Sequence, residues 1–389
     1  MPNTDPMNLP DLLTATQEMG GSDLHLSMGS PPQVRVDGHL VRLDQPDLTP
    51  DGIKALVYSV LTDVQKKTFE ETWELDLAFG LRGVGRFRCN VFNQKGSVGS
   101  VFRLIPEKIR PLEELGLPPV LAELADRPRG LVLVTGPTGS GKSTTLAAMV
   151  DRINQAKKAH ILTIEDPIEY LHQHKTALVN QRELHADTQS FTMALRAALR
   201  EDPDVVLVGE LRDLETMEAA LKLAETGHLT MATLHTNSAA QTITRLIDAF
   251  PAHQQAQIRT QLSLVLEGIV CQTLLPKAGG HGRVAALEIL IATPAIRNLI
   301  RDDKIHQIYG TMQTGQEKLG MQTMNQSLSR LVEKKVVTRD VALATSSLRD
   351  ELNAILERNN AARVAGGVPP AGANGAGAVR RPPMVQGVR

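Results

Sequence analysis

The sequence predicts an α/β protein in which a small α+β domain is followed by a larger domain with a parallel sheet flanked by helices. Apolar strand patterns alternate with helical patterns between residues 130 and 249, which is typical of a parallel sheet. A glycine-rich phosphate-binding pattern lies directly between the first of these strands and its helix. The length of 389 residues accommodates two domains of ordinary size.

Composition narrows the class of protein. Hydrophobic residues make up 42% of the chain and aromatic residues 3%, so the cores must be largely aliphatic. The formal net charge is −1, without the basic excess usual for nucleic-acid binders, so we expect no nucleic-acid partner. The two cysteines lack metal-ligand spacing and are too few for a disulfide framework, which favours a cytoplasmic location and no zinc. No stretch predicts a signal peptide or a membrane span.

Residues 1–112 are predicted to form the α+β domain. Helical spacing, strand alternation and an Asp37-Gly38 hairpin signal predict helices over 9–19 and 50–62 and strands over 23–27, 33–36, 39–42, 74–79, 85–94 and 97–104. Arg86, Arg88 and Arg103 lie on the strands nearest the larger domain. Arg88 and Arg103 alternate with apolar neighbours, so they are the better candidates to reach a phosphate, although each can instead be a solvated strand residue.

The larger domain is organised around the loop Gly136-Pro137-Thr138-Gly139-Ser140-Gly141-Lys142-Ser143, followed by Thr144. It follows a predicted strand over 131–135 and precedes a predicted helix over 143–153. Glycines let successive backbone N–H groups turn inward around an anion, and the helix N-terminus adds partial positive charge. We expect Lys142 to reach the β- and γ-phosphates of ATP and the Ser143 hydroxyl to ligate Mg²⁺.

Two acidic segments follow apolar strands of the same predicted sheet. Glu210 comes after the strand Val205-Val206-Leu207-Val208-Gly209, where an acid can lie beside the γ-phosphate and act through water or as a base. The segment Glu165-Asp166-Pro167-Ile168-Glu169 follows the strand over 160–164. Acidic loops are often merely solvated, but their position after neighbouring parallel strands favours a functional role.

Two histidines bracket the strand over 229–234. His228 and His235 are seven residues apart in extended chain, or roughly 23 Å, so they are not expected to share a metal. Each can instead sense phosphate or bridge to Glu210, and the simpler alternative is a structural histidine.

The remaining chain is predicted by local signals. Prolines among charged residues indicate a linker over 107–118, followed by a short helix over 120–125. Beyond residue 251 the patterns are mostly helical, with a hairpin between 270 and 290. Residues 359–389 are rich in Ala, Gly and Pro without periodicity, which predicts a disordered tail.

Taken in order, these elements resemble those of the secretion ATPase superfamily, where they are named the Walker A, Asp, Walker B and His boxes. The resemblance is closest to the twitching-motility retraction ATPases of type IV pili, the PilT family, and it covers residues 9–353. Its most specific stretches are Ser22-Asp23-Leu24-His25-Leu26-Ser27, 136–145, 163–170, 200–213, 225–237 and Ala295-Ile296-Arg297-Asn298-Leu299-Ile300.

The resemblance implies a PAS-like amino-terminal domain over 1–112, a RecA-like ATPase core over 113–358 and a homohexamer that binds ATP and Mg²⁺. It implies an inner-membrane pilus platform protein as partner, through which the ring associates peripherally with the cytoplasmic face of the inner membrane. Lys142 and Ser143 correspond to the nucleotide and Mg²⁺ ligands. The implied catalytic residues are Glu210 as Walker B glutamate, Glu169 as Asp-box acid and His228 in the His box, while Arg88 and Arg103 would contact phosphates when the domains close.

Four alternatives remain open. Pilus-assembly and type II secretion ATPases usually carry a four-cysteine zinc module, whereas this sequence has no C-x-x-C pair. An accessory retraction paralogue is disfavoured by the segment 295–300. A RecA-like nucleic-acid translocase is disfavoured by the near-neutral charge and few aromatic residues. An ATP-binding scaffold without turnover is disfavoured by Glu210 and Glu169.

Overall fold

The computed structural model describes residues 8–36, 38–105, 108–280, 282–314 and 319–365. It is a mixed α/β structure with two sheets, one of six strands and one of seven. The predicted turn residue Asp37 and the first residue of the predicted linker lie outside the described residues, as do residues 366–389 of the predicted tail.

The first sheet is antiparallel, with the strand order β3-β2-β1-β6-β5-β4. Leu24, Phe87 and Phe102 lie in the hydrophobic core between this sheet and its helices. The elements are α1 (Leu9–Glu18), β1 (Asp23–Leu26), β2 (Gln33–Val36), β3 (His39–Arg42), α2 (Pro50–Tyr58), α3 (Asp63–Thr72), β4 (Glu74–Leu81), β5 (Gly85–Gln94) and β6 (Ser97–Ile105).

The helix predicted over 50–62 is shorter than expected, and a second helix follows it. The first helix ends at Tyr58, and α3 begins after Thr62. The Thr62 side chain accepts a hydrogen bond from the backbone N–H of Gln65, and the Gln65 side chain accepts one from the backbone N–H of Thr62. This capping box starts a new helix where the sequence prediction ended one.

The second sheet has the order β13-β12-β7-β11-β10-β8-β9, with all neighbours parallel except the β12–β13 hairpin. Every residue of β7, β10 and β11 is buried, as expected for central parallel strands. The elements are α4 (Val120–Ala125), β7 (Gly130–Thr135), α5 (Lys142–Ala156), β8 (His160–Glu165), β9 (Leu178–Glu183), α6 (Phe191–Ala198), β10 (Val205–Val208), α7 (Leu214–Glu225), β11 (Leu229–Leu234), α8 (Ala239–Asp248), α9 (Ala252–Val265), β12 (Leu266–Pro276) and β13 (Arg283–Ile291).

In the part of the chain that the structure describes, helices follow the hairpin. They are α10 (Pro294–Arg301), a 3₁₀ turn (Ile305–Gln307), α11 (Ile308–Gln313), α12 (Met324–Glu333), α13 (Arg339–Thr345) and α14 (Arg349–Ala365). Because α14 continues to Ala365, the predicted start of the tail at residue 359 is wrong. Among the described residues, we find no helix whose length and apolar character would let it cross a bilayer.

Candidate active site

The phosphate-binding loop connects β7 to α5 at the carboxyl edge of the parallel sheet, where ligands bind in open α/β folds. Gly136, Gly139 and Gly141 have φ values of 140°, 78° and 88°, which side chains other than glycine rarely adopt. A Cβ atom on Gly136 would lie 2.2 Å from the carbonyl oxygen of Gln272. The loop can therefore take this shape only with glycine at its first position.

Gln272, on β12, supports the loop from behind. Its Nε2 donates to the carbonyl oxygen of Ser140 over 2.6 Å, and its Oε1 accepts from the Thr145 hydroxyl over 2.8 Å. The Ser140 hydroxyl oxygen is buried and has no hydrogen-bond partner among the described residues. A loop of positive-φ glycines that is supported by Gln272 and carries a buried hydroxyl without a partner fits a phosphate ligand.

Lys142 lies at the start of α5 and folds over the loop. Its Nζ donates to the carbonyl oxygens of Gly136 and Pro137 over 2.7 and 3.3 Å and lies 3.5 Å from Nδ1 of His235. The pKa of Lys142 lies below its ordinary value, because the effect of burial outweighs the opposing effect of the nearby Glu210 and Glu169 charges. The two acids predicted from sequence are thus close enough to interact electrostatically with the loop lysine.

A series of polar contacts links Lys142 to Glu210, the acid that follows β10. The Nε2 of His235 lies 3.2 Å from Oε1 of Glu210, and Nε of Arg212 donates to Oε2 of Glu210 over 2.9 Å. An ammonium group only donates, so Nδ1 of His235 must accept from Lys142 and Nε2 must carry the proton shared with Glu210. Nη1 of Arg212 also donates to Oδ2 of Asp166 over 3.3 Å. This bond connects the series of contacts to residues 165–169, the acid loop.

The acid loop after β8 approaches the same edge. The Tyr170 and Thr144 hydroxyls are 2.9 Å apart, so the segment that carries Glu169 contacts the first turn of α5, where Ser143 also lies. Glu165, at the end of β8, accepts hydrogen bonds from Thr163 and Gln181 over 2.7 and 3.3 Å. Burial raises the pKa of Glu165 to about 7 despite these bonds.

His228 lies away from this cluster, and its catalytic role stays a prediction from the sequence. Its Nδ1 contacts the carbonyl oxygen of Leu223 over 3.0 Å and the Thr226 hydroxyl over 3.1 Å. His228 precedes β11 and His235 follows it, so the strand places them at opposite edges of the sheet. His235 is the histidine at the nucleotide edge.

The two arginines predicted to reach phosphate lie on the amino-terminal sheet. Nε of Arg103 donates to Oδ1 of Asp23 over 2.8 Å, and Arg88 lies opposite Arg103 in the β5–β6 pairing. The structure thus pairs Arg103 with a carboxylate of its own domain rather than with the phosphate loop. Arg86 is the arginine of these strands that contacts the larger domain, through Glu183 and the carbonyl oxygen of Ile168.

The sequence did not predict Arg212, Gln272 or Tyr170 as residues of the site. A usable signal existed for Gln272, because it is, with Thr273, one of two polar residues in the otherwise apolar run 269–275. Arg212 lies only two residues beyond Glu210, but spacing alone does not show that its guanidinium turns back to that acid. Tyr170 ends the stretch 163–170 that carries the family resemblance, but that pattern does not show which group its hydroxyl contacts.

Comparisons with known proteins agree with these features. The chain matches the family "Type II/IV secretion system protein" over residues 12–350. It is 56% identical over 336 residues to the type IV pilus retraction ATPase PilT of Pseudomonas aeruginosa, covering 86% of this chain and 97% of that protein. It is 43% identical over 351 residues to the type IV pilus ATPase PilU of the same organism, covering 90% and 92%.

A solved structure gives the same assignment. The crystal structure of the pilus retraction motor PilT with bound ADP has a TM-score of 0.84 and 52% sequence identity, covering 90% of this chain and 99% of that chain. The match therefore extends over both sheets and not only over the phosphate loop. We conclude that the chain belongs to the type II/IV secretion system protein family, in its PilT branch.

Proposed function

We propose that this chain is an ATP-hydrolysing motor that powers retraction of type IV pili. The observation that carries the proposal is the polar chain from Lys142 through His235 to Glu210 at the end of an intact phosphate loop. Similarity to PilT over nearly the whole length of that protein supports the retraction role. The ADP bound in the solved PilT structure supports a nucleotide as ligand here.

The proposal includes an architecture and an assembly. We infer a PAS-like domain over 1–112 and a RecA-like core from 113 through α14, assembled as a homohexamer. We further infer that the ring acts at the cytoplasmic face of the inner membrane on a pilus platform protein, and that nucleic acid is not a partner.

The chemical step proposed is in-line attack of a water molecule on the γ-phosphate of ATP. Lys142 would exchange its bonds to the loop carbonyls for phosphate oxygens and neutralise the charge that develops there. Glu210 would orient the attacking water, and the Nε2–H of His235 would hold the Glu210 carboxylate in place. Oxygen donors suit Mg²⁺, which Ser143 would hold together with the nucleotide, and which would supply charge neutralisation.

Glu169 and the amino-terminal arginines complete the proposed site. Glu169 lies next to Tyr170, whose hydroxyl contacts Thr144 at the start of α5, so its carboxylate can polarise water near the phosphates. Arg88 and Arg103 would reach the phosphates when the amino-terminal domain moves toward the core. Release of products would reverse that movement and pass it to the platform protein.

The test is Glu210→Ala, scored in two assays. Purified protein is assayed for ATP hydrolysis, and pili are counted on cells of a type IV piliated host whose own retraction ATPase is deleted and replaced by each version of this chain. We expect hydrolysis to fall by about 10² or more, because the group that orients water is lost. The cells should become hyperpiliated and stop twitching, because assembly continues without retraction.

The matched control is Glu218→Ala, an exposed glutamate on the neighbouring helix α7. It should hydrolyse ATP and support twitching like the wild type. Loss of pili in the Glu210→Ala cells would instead identify an assembly motor. Wild-type hydrolysis by Glu210→Ala would overturn the assignment of the chemical site.

A further inference from the structure

One arginine of the amino-terminal domain contacts the acid loop of the core. Arg86 lies on β5, and its Nε donates to the carbonyl oxygen of Ile168 over 3.3 Å. Its Nη2 forms an ion pair with the carboxylate of Glu183, at the end of β9. The two side chains are only 17% and 11% exposed, so removing either partner would leave a poorly solvated charge.

The Glu183 carboxylate also binds the backbone of Ile168. Its Oε2 accepts a hydrogen bond from the Ile168 backbone N–H over 3.1 Å. Glu183 is itself fixed, because it pairs with Glu165 across β8–β9 and its backbone N–H donates to Oδ2 of Asp187 over 2.8 Å. Arg86 and Glu183 therefore hold both the carbonyl oxygen and the N–H of Ile168.

Ile168 directly precedes Glu169. The side chain of Ile168 is buried, so the backbone at this point is anchored by packing as well as by hydrogen bonds. Glu169 is close enough for its charge to act on Lys142. A displacement of Ile168 would therefore change where the Glu169 carboxylate stands relative to the phosphate loop.

We propose that Arg86, Glu183 and Ile168 form an inter-domain clip, in which Arg86 is a positioning residue that ties the location of Glu169 to the orientation of the amino-terminal domain. This inference rests on the proposed ATPase function. When the domain turns on the core, Arg86 moves the Ile168 carbonyl and with it Glu169. The clip differs from the proposed phosphate contacts of Arg88 and Arg103, because Arg86 acts on the protein backbone rather than on the nucleotide.

The clip and a merely stabilising ion pair make different predictions. A stabilising pair would change the unfolding temperature and leave kcat per folded molecule unaltered. The clip sets the geometry of a group at the reaction site, so its loss lowers kcat while the loop residues that bind ATP remain in place. A misplacement of about 1 Å can cost about 10²-fold in rate.

The experiment measures steady-state ATP hydrolysis by the full chain carrying Arg86→Lys, Glu183→Gln or both. Lysine keeps the charge but lacks the planar fork that contacts Glu183 and Ile168 together. We expect kcat to fall about tenfold with KM within about twofold of wild type. The double variant should be no slower than the slower single variant, because both break one unit. Hydrogen exchange in the segment 165–170 should be faster in Arg86→Lys.

The matched control is Arg259→Lys. Arg259 lies on α9 and forms an ion pair with Asp303 at 3.5 Å, and its side chain is 20% exposed, close to the value for Arg86. The kcat of Arg259→Lys should remain at the wild-type level. An equal loss of kcat in Arg259→Lys would overturn the clip, and so would wild-type kcat in the Arg86 and Glu183 variants.

A parallel Lys142→Ala variant separates this inference from the one on which it rests. If Lys142→Ala is inactive and the clip variants hydrolyse ATP normally, the clip is wrong and the ATPase function stands. If Lys142→Ala hydrolyses ATP like the wild type, the proposed function is wrong. Should Arg86→Lys fail to fold, the kcat and the hydrogen exchange of Glu183→Gln decide the question.

Discussion

His235 and His228 show how much depends on which end of a strand a residue occupies. His235 lies between Lys142 and Glu210, whereas His228 contacts the carbonyl oxygen of Leu223 at the other edge of the sheet. In His235→Ala the Glu210 carboxylate loses a donor and Lys142 loses a neighbour. We expect kcat for ATP hydrolysis to fall about 10² or more in this variant and to stay within about twofold in His228→Ala. The opposite ranking would place the functional histidine at the other edge.

Glu165 predicts a pH dependence of stability. Burial raises its pKa to about 7 from an ordinary value of 4.5, so the folded chain keeps a proton that the unfolded chain has lost between these values. The contribution to stability is therefore complete below about pH 4.5 and is lost as the pH rises through about 7. Glu165→Gln removes this titration.

Wild type loses the Glu165 contribution as the pH rises, and Glu165→Gln does not. We therefore expect the free energy of unfolding of Glu165→Gln, minus that of wild type, to increase by about 1–3 kcal/mol from pH 5 to pH 8. Urea unfolding of both proteins at the two pH values measures the difference, with the exposed Glu218→Gln as control. Parallel pH profiles for wild type and Glu165→Gln would show that Glu165 is not protonated in the folded chain.

At the scale of elements, the phosphate loop depends on its contact with the neighbouring strand β12. A Cβ on Gly136 would meet the carbonyl oxygen of Gln272 at 2.2 Å, and backbone atoms cannot move aside without breaking the β7–β12 pairing. Gly136→Ala should therefore displace the loop and weaken binding of a fluorescent ATP analogue about tenfold or more, because positive φ also strains alanine.

Gly279→Ala serves as the control, because an added Cβ there meets nothing within 4 Å and the backbone has no positive φ. Its nucleotide affinity should match the wild type. Circular dichroism checks that the sheet of Gly136→Ala remains folded. Unchanged affinity in Gly136→Ala would show that the loop adapts to the added methyl group.

Sequence patterns predicted the strands in which apolar residues alternate or run continuously, and missed one edge strand of the second sheet. Strands β7, β10 and β11 are entirely apolar or small and buried, so their runs were clear. Strand β9, Leu178–Glu183, was missed because it is an edge strand in which four of the six residues are polar. At the site, motifs predicted Lys142 and Glu210. No motif predicts a contact such as that between Arg86 and Glu183, which are 97 residues apart in sequence.

At the scale of the whole molecule, the two sheets have separate hydrophobic cores. One cluster contains Leu24, Phe87 and Phe102, and the other contains the central strands β7, β10 and β11. Arg86 joins the two parts through polar contacts rather than apolar packing. Separate cores allow the domains to move as units, which is the kind of motion that hinge closure around a ligand requires.

The proposed closure of the domains over nucleotide predicts a role for Arg88. Arg88 lies opposite Arg103 on the amino-terminal sheet, and Arg103 is paired with Asp23 of the same sheet. If they reach phosphate on closure, a non-hydrolysable ATP analogue at 100 times its Kd should stabilise the wild type by about 2.7 kcal/mol. Arg88→Ala should lower this ligand-induced rise in Tm while the Tm without nucleotide changes little, because the partly exposed Arg88 side chain forms no hydrogen bond or ion pair among the described residues. Arg42→Ala, on the exposed strand β3, should keep the full rise. An equal rise in all three proteins would show that Arg88 does not contact the nucleotide.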